Sequence, residues 1–235
     1  ALVREWAELV ESELAPGLVA HVEFSNEVWN WQFAQAHWAE AEGKALLSAA
    51  GIAVPKSATA PTLAGVSIAA QGLAAPYALK GLGFAHKTEA GAVRLGLTRL
   101  EGQVEMQGAT GYLVEEMVTG AVAEILVGLQ RDPIYGLTLT LGMGGVTAEV
   151  LADTVTLIWP VSAAQVMQAM RGLRLWPLLD GYRGRPRADV AAVAAIALRL
   201  GELMAADPRL EEIEINPILA RSNGAVAVDA LVRTR

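Results

Sequence analysis

The 235-residue chain has no cysteine, which excludes disulfides, thiol catalysis and cysteine-ligated metals and fits a reducing compartment. No run reaches the roughly 18 uncharged apolar residues of a membrane helix, although 53% of the residues are hydrophobic. Basic charge is scarce: 18 Lys and Arg stand against 25 Asp and Glu, a net charge of -7. That balance argues against general nucleic-acid binding, so an anion has to be met by a local cluster of Lys, His and backbone N–H groups. Arg4, Glu5, Glu8 and Glu11 fall among the first residues, so no secretory leader is expected there. There is no internal repeat. The glycine clusters lack both the Lys-Ser/Thr of a P-loop and the spacing of a dinucleotide fingerprint.

The length suits one large domain or two small ones with a real core. Texture changes near residue 40. Four of the six Trp (Trp6, Trp29, Trp31, Trp38) lie before it, where residues 2–14 have the spacing of an amphipathic helix and 18–24 that of a short strand. Beyond it, Ala-rich helices are expected over 40–50, 61–74, 162–173 and 188–205. Short strands are expected at 77–80, 93–97, 111–115, 123–129, 137–141 and 146–150. Ile213 to Asn216 and Ala225 to Asp229 read as two antiparallel strands joined through Arg221-Ser222-Asn223-Gly224. Strands and helices mix without regular alternation, so the class is α+β rather than doubly wound. The expected division is an atypical extension over 1–40, a front lobe over 41–115 and a back lobe over 116–235.

Several stretches can carry chemistry. Lys80, expected at the exit of a buried strand and followed by Gly81-Leu82-Gly83, either lays its ammonium on phosphate oxygens or is an ordinary surface lysine. His86-Lys87-Thr88-Glu89 offers an imidazole, a cation, a hydroxyl and a carboxylate in sequence. In extended backbone only alternate members share a face, and His86 is a phosphoryl acceptor or a loop histidine. Glu115, Glu116 and Met117 end a strand whose backbone can meet an adenine edge, with Met117 on the ring, or are an ordinary strand end. Glu124, in an apolar strand, is expected half-buried and in need of a partner such as a ribose hydroxyl or Arg131. Gly142, Gly144 and Gly145 form a loop able to fold over a phosphate chain, with Glu149 and Asp153 beyond it as orienting or solvated carboxylates. Glu214 and Asn216 share one strand face, and a hairpin brings Asp229 alongside. That is a hard-oxygen set of the kind magnesium takes.

In their order along the chain these stretches resemble the ATP-grasp domain of ADP-forming acyl-CoA synthetases, the acetate–CoA ligase (ADP-forming) β subunits. The resemblance runs from about Ala41 to the C-terminus through Gly51-Ile52-Ala53-Val54-Pro55, Ala78-Leu79-Lys80, residues 86–93, Leu113 to Met117, Gly142 to Val146, residues 177–186 and Glu214-Ile215-Asn216-Pro217. It implies an ATP-grasp fold of two α+β lobes clasping ATP or ADP. It also implies that Lys80, Lys87, Glu115, Glu116, Met117, Glu124 and the glycines line the nucleotide site, with Mg2+ on Glu214, Asn216 and Asp229. By the same resemblance His86 relays the phosphoryl group, with Lys80 beside it. The implied reaction joins acid, CoA and ATP to give acyl-CoA, ADP and phosphate.

The family also uses a CoA-binding/ligase module, so the expectation is a cytoplasmic hetero-oligomer. In it an α-type subunit or fused module brings the acyl-CoA or carboxylic acid, and no membrane or nucleic acid is involved. A nucleotide-binding regulatory module, as in proteins fused to lysine acetyltransferases, and an inactive fragment are the competing readings. Residues 22–33, with Asn26-Glu27, faintly resemble glycoside-hydrolase-like proteins, but lack a second carboxylate placed to work with Glu27.

Overall fold

The computed structural model describes residues 39–84, 90–145 and 152–234, all within a compact unit spanning Ala34–Arg235. The architecture is α+β, and two antiparallel sheets carry it. Helix α1 (Ala39–Ala49) has Glu40 and Glu42 in its first turn, where carboxylates complement the helix dipole. It ends as Gly51 turns left-handed and the Ile52 N–H reaches back to the Leu47 carbonyl at 2.9 Å.

The smaller sheet has the order β1-β4-β2-β3, with β1 at Ser57–Ala60, β2 at Tyr77–Leu82, β3 at Val93–Leu97 and β4 at Gly111–Glu116. Its core gathers Val66, Leu79, Met106, Tyr112 and Val114. The helix expected over 61–74 is only a 3-10 turn at Leu63–Gly65 followed by α2 (Val66–Ala69). Glycine at 65 and at 72, the latter with φ +96°, weakens propagation, and Ile68 on its outer side is exposed rather than packed.

The larger sheet has the order β10-β8-β5-β6-β7, with β9 on part of β8. Its strands are β5 (Ala121–Asp132), β6 (Gly136–Met143), β7 (Thr154–Ile158), β8 (Leu210–Arg221), β9 (Ala225–Ala227) and β10 (Ala230–Thr234). Alternation along β5 turns Ile125, Val127 and Leu129 to the core, where Leu139, Leu141, Ile213 and Ile215 join them. Against them pack α3 (Ala163–Arg171) and α5 (Val190–Ala206), while the short α4 (Trp176–Leu179) contributes Leu179. Each such side chain contributes about 1.5–3 kcal/mol by leaving water.

The helix ends are stitched to this framework. Ser162 and Gln165 form a capping box on α3. Asp189 caps α5, and Arg131 closes the other end by donating to the carbonyls of Leu210 (2.7 Å), Asp207 (3.2 Å) and Met204. Arg131 is therefore a helix cap, not the partner expected for Glu124. Leu47 and Ile52 belong to the core of this larger sheet, and α1 lies along β10.

The hairpin near the C-terminus differs from expectation. Residues 210–215 pair with β10 and 218–220 pair with β9, so β8 changes partner at Asn216-Pro217. Asp229 falls in the gap between β9 and β10 and stands opposite Asn216, whose N–H meets the Asp229 carbonyl at 3.3 Å.

Candidate functional site

Lys80 lies within β2, not at its exit, because pairing continues through Gly81–Tyr112 and Leu82–Gly111. It is also buried, at 7% exposure. Three acceptors surround its ammonium: Glu40 Oε1 at 2.6 Å, Glu115 Oε2 at 3.0 Å and the Val228 carbonyl at 2.9 Å. Lys44 completes the cluster, with its Nζ 2.8 Å from Glu40 Oε1 and 2.6 Å from Glu115 Oε1. Two lysines and two glutamates thus neutralise one another out of water, which an unpaired charge does not tolerate.

The two ammoniums are not equivalent. Burial pulls Lys80 down, but the charges of Glu40, Glu115 and Asp229 outweigh it and hold the group well above the ordinary lysine range. Burial lowers Lys44, and the neighbouring Lys80 charge presses the same way. Glu40 and Glu115 only partly compensate, so Lys44 lies below the usual range. Asp229 favours Lys80 and leaves Lys44 the weaker base.

Asp229 therefore links two regions that lie far apart in sequence. Lys80 reaches the Val228 carbonyl across 148 residues, and the neighbouring Asp229 faces Asn216 across the β9–β10 gap. On β8, Glu214 lies opposite Gly128, where the missing side chain leaves it room. Burial raises the Glu214 carboxyl, and Glu212 and then Asp229 push it further, so negative charge accumulates here. Among the described residues no group of three or more His, Cys, Asp or Glu is placed to hold a metal. The expected set is two carboxylates and an amide, a donor set of hard oxygens.

The glycine loop is seated on the same strands. Gly144 N–H donates to the Glu124 carbonyl at 2.8 Å, and Gly145 N–H donates to Asn216 Oδ1 at 2.9 Å. Gly144 can have no side chain, because a Cβ would lie 2.8 Å from the Ile125 carbonyl carbon. At Gly145, with φ +64°, it would lie 1.6 Å from Glu124 Oε2, which places that carboxylate beside the loop. Glu124 is exposed rather than half-buried, because β5 turns its alternate residues outward here.

The remaining expected residues are distributed as follows. The Glu115 carboxylate is spent on the two lysines. Glu116 accepts from Ala74 N–H, and the N–H groups of Glu116 and Met117 bond to the carbonyls of Lys56 and Pro76. Those two amides are therefore engaged within the smaller sheet. The Met117 sulfur accepts from Gly96 N–H at 3.2 Å. Asp153 is buried and structural. Burial works to raise it, but N–H groups of Leu175 and Arg174 and the Arg174 charge hold it below the usual carboxylate range. His86, Lys87, Thr88, Glu89 and Glu149 lie outside the described residues.

Sequence reasoning missed Glu40 and Lys44. Their one signal was a Glu–Lys pair at i,i+4, which usually marks a solvated helix face.

Comparison with known proteins agrees with the fold. Residues 32–234 match the ATP-grasp domain family, a span that includes residues 32–40 and thus Glu40. A trans-feruloyl-CoA synthase from an unknown prokaryotic organism is 35% identical over 82% of this chain, and this chain spans 30% of its length. The acetate–CoA ligase (ADP-forming) I subunit beta of Pyrococcus furiosus is 32% identical over 62% of this chain and 68% of that one. Dinucleotide-forming acetyl-coenzyme A synthetase 1 of Candidatus Korarchaeum cryptofilum, in complex with coenzyme A, Ca-AMPCP and HgCl+, superposes with a TM-score of 0.75. That match has 26% identity and covers 84% of this chain and 93% of that chain. A second structure of that enzyme holds coenzyme A and Mg-AMPPCP, with a phosphohistidine segment pointing towards the nucleotide-binding site. It matches with a TM-score of 0.72 and 27% identity over 83% of this chain and 92% of that chain.

Proposed function

The chain belongs to the ATP-grasp family, and from that premise we propose that it is the nucleotide-binding, β-type part of an ADP-forming acyl-CoA synthetase. The reaction joins an acid, CoA and ATP to give acyl-CoA, ADP and phosphate. One observation carries the reading: Lys80 reaches the carbonyl of Val228 at 2.9 Å, directly beside Asp229. The anion-facing and cation-facing halves of the site are thus contiguous, as a metal–nucleotide complex requires. The named relatives, a feruloyl-CoA synthase and a β subunit of acetate–CoA ligase, support the reaction class.

The residues present fit magnesium. Burial, then Glu212 and Asp229, raise the cost of ionising Glu214, which a divalent cation relieves, and Asn216 supplies an amide oxygen. Those three residues would hold the ion, which when bound draws charge off the phosphate oxygens. Lys80 binds the phosphate chain, and Gly144 and Gly145, held against β5, bring backbone close to it. Carbonyls at the end of β4 and the Met117 side chain meet the base. Glu124, beside Gly145, orients the sugar or the phosphates, and Lys87 adds positive charge.

His86 takes the phosphoryl group on an imidazole nitrogen as ADP leaves, and returns it to the partner's chemistry. That partner is an α-type subunit or fused module bearing the CoA site. Its acyl pocket receives the carboxylic acid, and the assembly works in the cytoplasm, where ATP and CoA are found. Among the described residues no helix is long and apolar enough to cross a membrane.

Calorimetric titration with ATP, with and without Mg2+, tests the proposal. Magnesium-dependent binding is expected, weakened by Lys80→Ala and spared by His86→Ala, which instead abolishes phosphoryl transfer. No binding in either condition refutes it.

A further inference from the structure

The Lys80 ammonium donates to Glu40 Oε1 and to the Val228 carbonyl, and lies 3.0 Å from Glu115 Oε2. A phosphate oxygen that draws Lys80 towards the ligand takes it away from these partners. A carboxylate left alone in the buried cluster would be an uncompensated charge out of water, as when one partner of a buried ion pair is removed. Nucleotide binding would then be opposed by the same contacts that hold Lys80.

The arrangement around Lys44 removes that penalty. Lys44 contacts both carboxylates at once, Glu40 Oε1 at 2.8 Å and Glu115 Oε1 at 2.6 Å. Glu40 Oε1 is shared by the two ammoniums, and Glu115 offers one oxygen to each. Each carboxylate therefore keeps a cation when Lys80 turns away. Glu40 and Lys44 sit one turn apart on α1, a helix anchored through Leu47 in the core of the larger sheet. Lys80 and Glu115 sit on β2 and β4 of the smaller sheet. Both faces of the cluster are thus held by regular secondary structure, and only long side chains need to move.

We infer that Glu40 and Lys44 are positioning residues for Lys80: Lys44 takes over the two carboxylates and frees Lys80 for the nucleotide's phosphates. This rests on the reading of Lys80 in the preceding subsection. With Lys44 removed, one lysine answers two carboxylates, and Lys80 is held away from the ligand. With Glu40 also neutralised, Lys80 leaves one buried carboxylate, Glu115, behind instead of two, and part of the penalty is lifted. The signature is partial rescue of affinity by removing a carboxylate, which a cluster that only stabilises the fold does not produce.

The test is calorimetric affinity for Mg-AMPPCP in the full chain, measured for wild type, Lys44→Met, Glu40→Gln and the double variant, with thermal midpoints alongside. Lys44→Met is expected to weaken binding at least tenfold. The double variant should recover part of that loss while its thermal midpoint stays below wild type. If Lys44→Met is too unstable to titrate, Lys44→Gln keeps a polar, neutral side chain in the same volume and makes the same comparison with Glu40→Gln. Unchanged affinity in the lysine variant, or losses that add in the double variant, overturn the inference while leaving nucleotide binding intact. A wild-type chain that binds no nucleotide overturns the functional reading and this inference with it.

Discussion

Gly144→Ala should be the most damaging one-methyl change at the candidate site. The added Cβ would lie 2.8 Å from the Ile125 carbonyl carbon, 3.0 Å from its oxygen and 3.1 Å from Asn216 Oδ1. Two of those atoms are backbone of β5, a strand paired on both sides, so no side-chain rotation relieves the contact. Overpacking of this kind costs about 1–3 kcal/mol. If the loop retreats instead, Gly144 loses the Glu124 carbonyl at 2.8 Å and Gly145 loses Asn216 Oδ1 at 2.9 Å. Each of those hydrogen bonds is worth roughly 0.5–1.5 kcal/mol net. Replacing glycine restricts the unfolded chain and returns about 0.4–1 kcal/mol. The expected net loss is about 0.5–2.5 kcal/mol, read as a lower urea midpoint at unchanged slope.

Gly145→Ala provides the contrast. Its Cβ would overlap Glu124 Oε2 at 1.6 Å, yet Glu124 is exposed and can swing away. What remains is the left-handed φ of +64°, a penalty of about 1–2 kcal/mol for a residue with a Cβ. Combining it with Glu124→Ala should therefore bring no further loss beyond that penalty. Equal destabilisation at the two glycines, or a Gly144→Ala chain within about 0.5 kcal/mol of wild type, would refute the claim that β5 backbone sets the loop's position.

Two further outcomes follow from the helix ends. Arg131→Met strips the cap from the last turn of α5 and leaves the carbonyls of Met204, Asp207 and Leu210 without it; a loss of about 2–4 kcal/mol in urea unfolding is expected. Arg131→Lys should recover less than half, since an ammonium lacks the guanidinium fork, and full recovery would show that charge alone suffices. Asp189 is held below the ordinary value of 3.8 first by the Gly224 N–H and then by the Ala192 N–H. A depressed carboxyl contributes stability that is complete above its unfolded value and is lost as pH falls through its lower folded value. Thermal midpoints of Asp189→Asn should accordingly lie below wild type at pH 7 and converge on it at pH well below 3.8; a constant gap down to acid pH would contradict this.

The candidate site was legible in part. Lys80, Asn216, Asp229 and the glycine loop stand out by residue type and order along the chain, and the fold brings them together. Helix α5 and strands β2, β3 and β4 carry strong local patterns and form close to where those patterns place them. The helix expected over 61–74 fails because apolar spacing alone ignores what Gly65 and Gly72 do to propagation. Strand β7 was missed altogether: its exposed and half-buried residues alternate at a sheet edge, where burial imposes little pattern.

The amino-acid sequence by itself determined the class, which rests on local periodicity, and the family, which rests on the resemblance of ordered motifs along the chain. Only tertiary structure decided that Lys80 is enclosed, that the Glu115 carboxylate meets two lysines, and that Glu40 and Lys44 lie against them. A Glu–Lys pair one helical turn apart has the same sequence whether it faces water or a buried sheet. Its energy differs by the full cost of desolvating the charges, and packing across 40 to 148 residues of chain sets that cost.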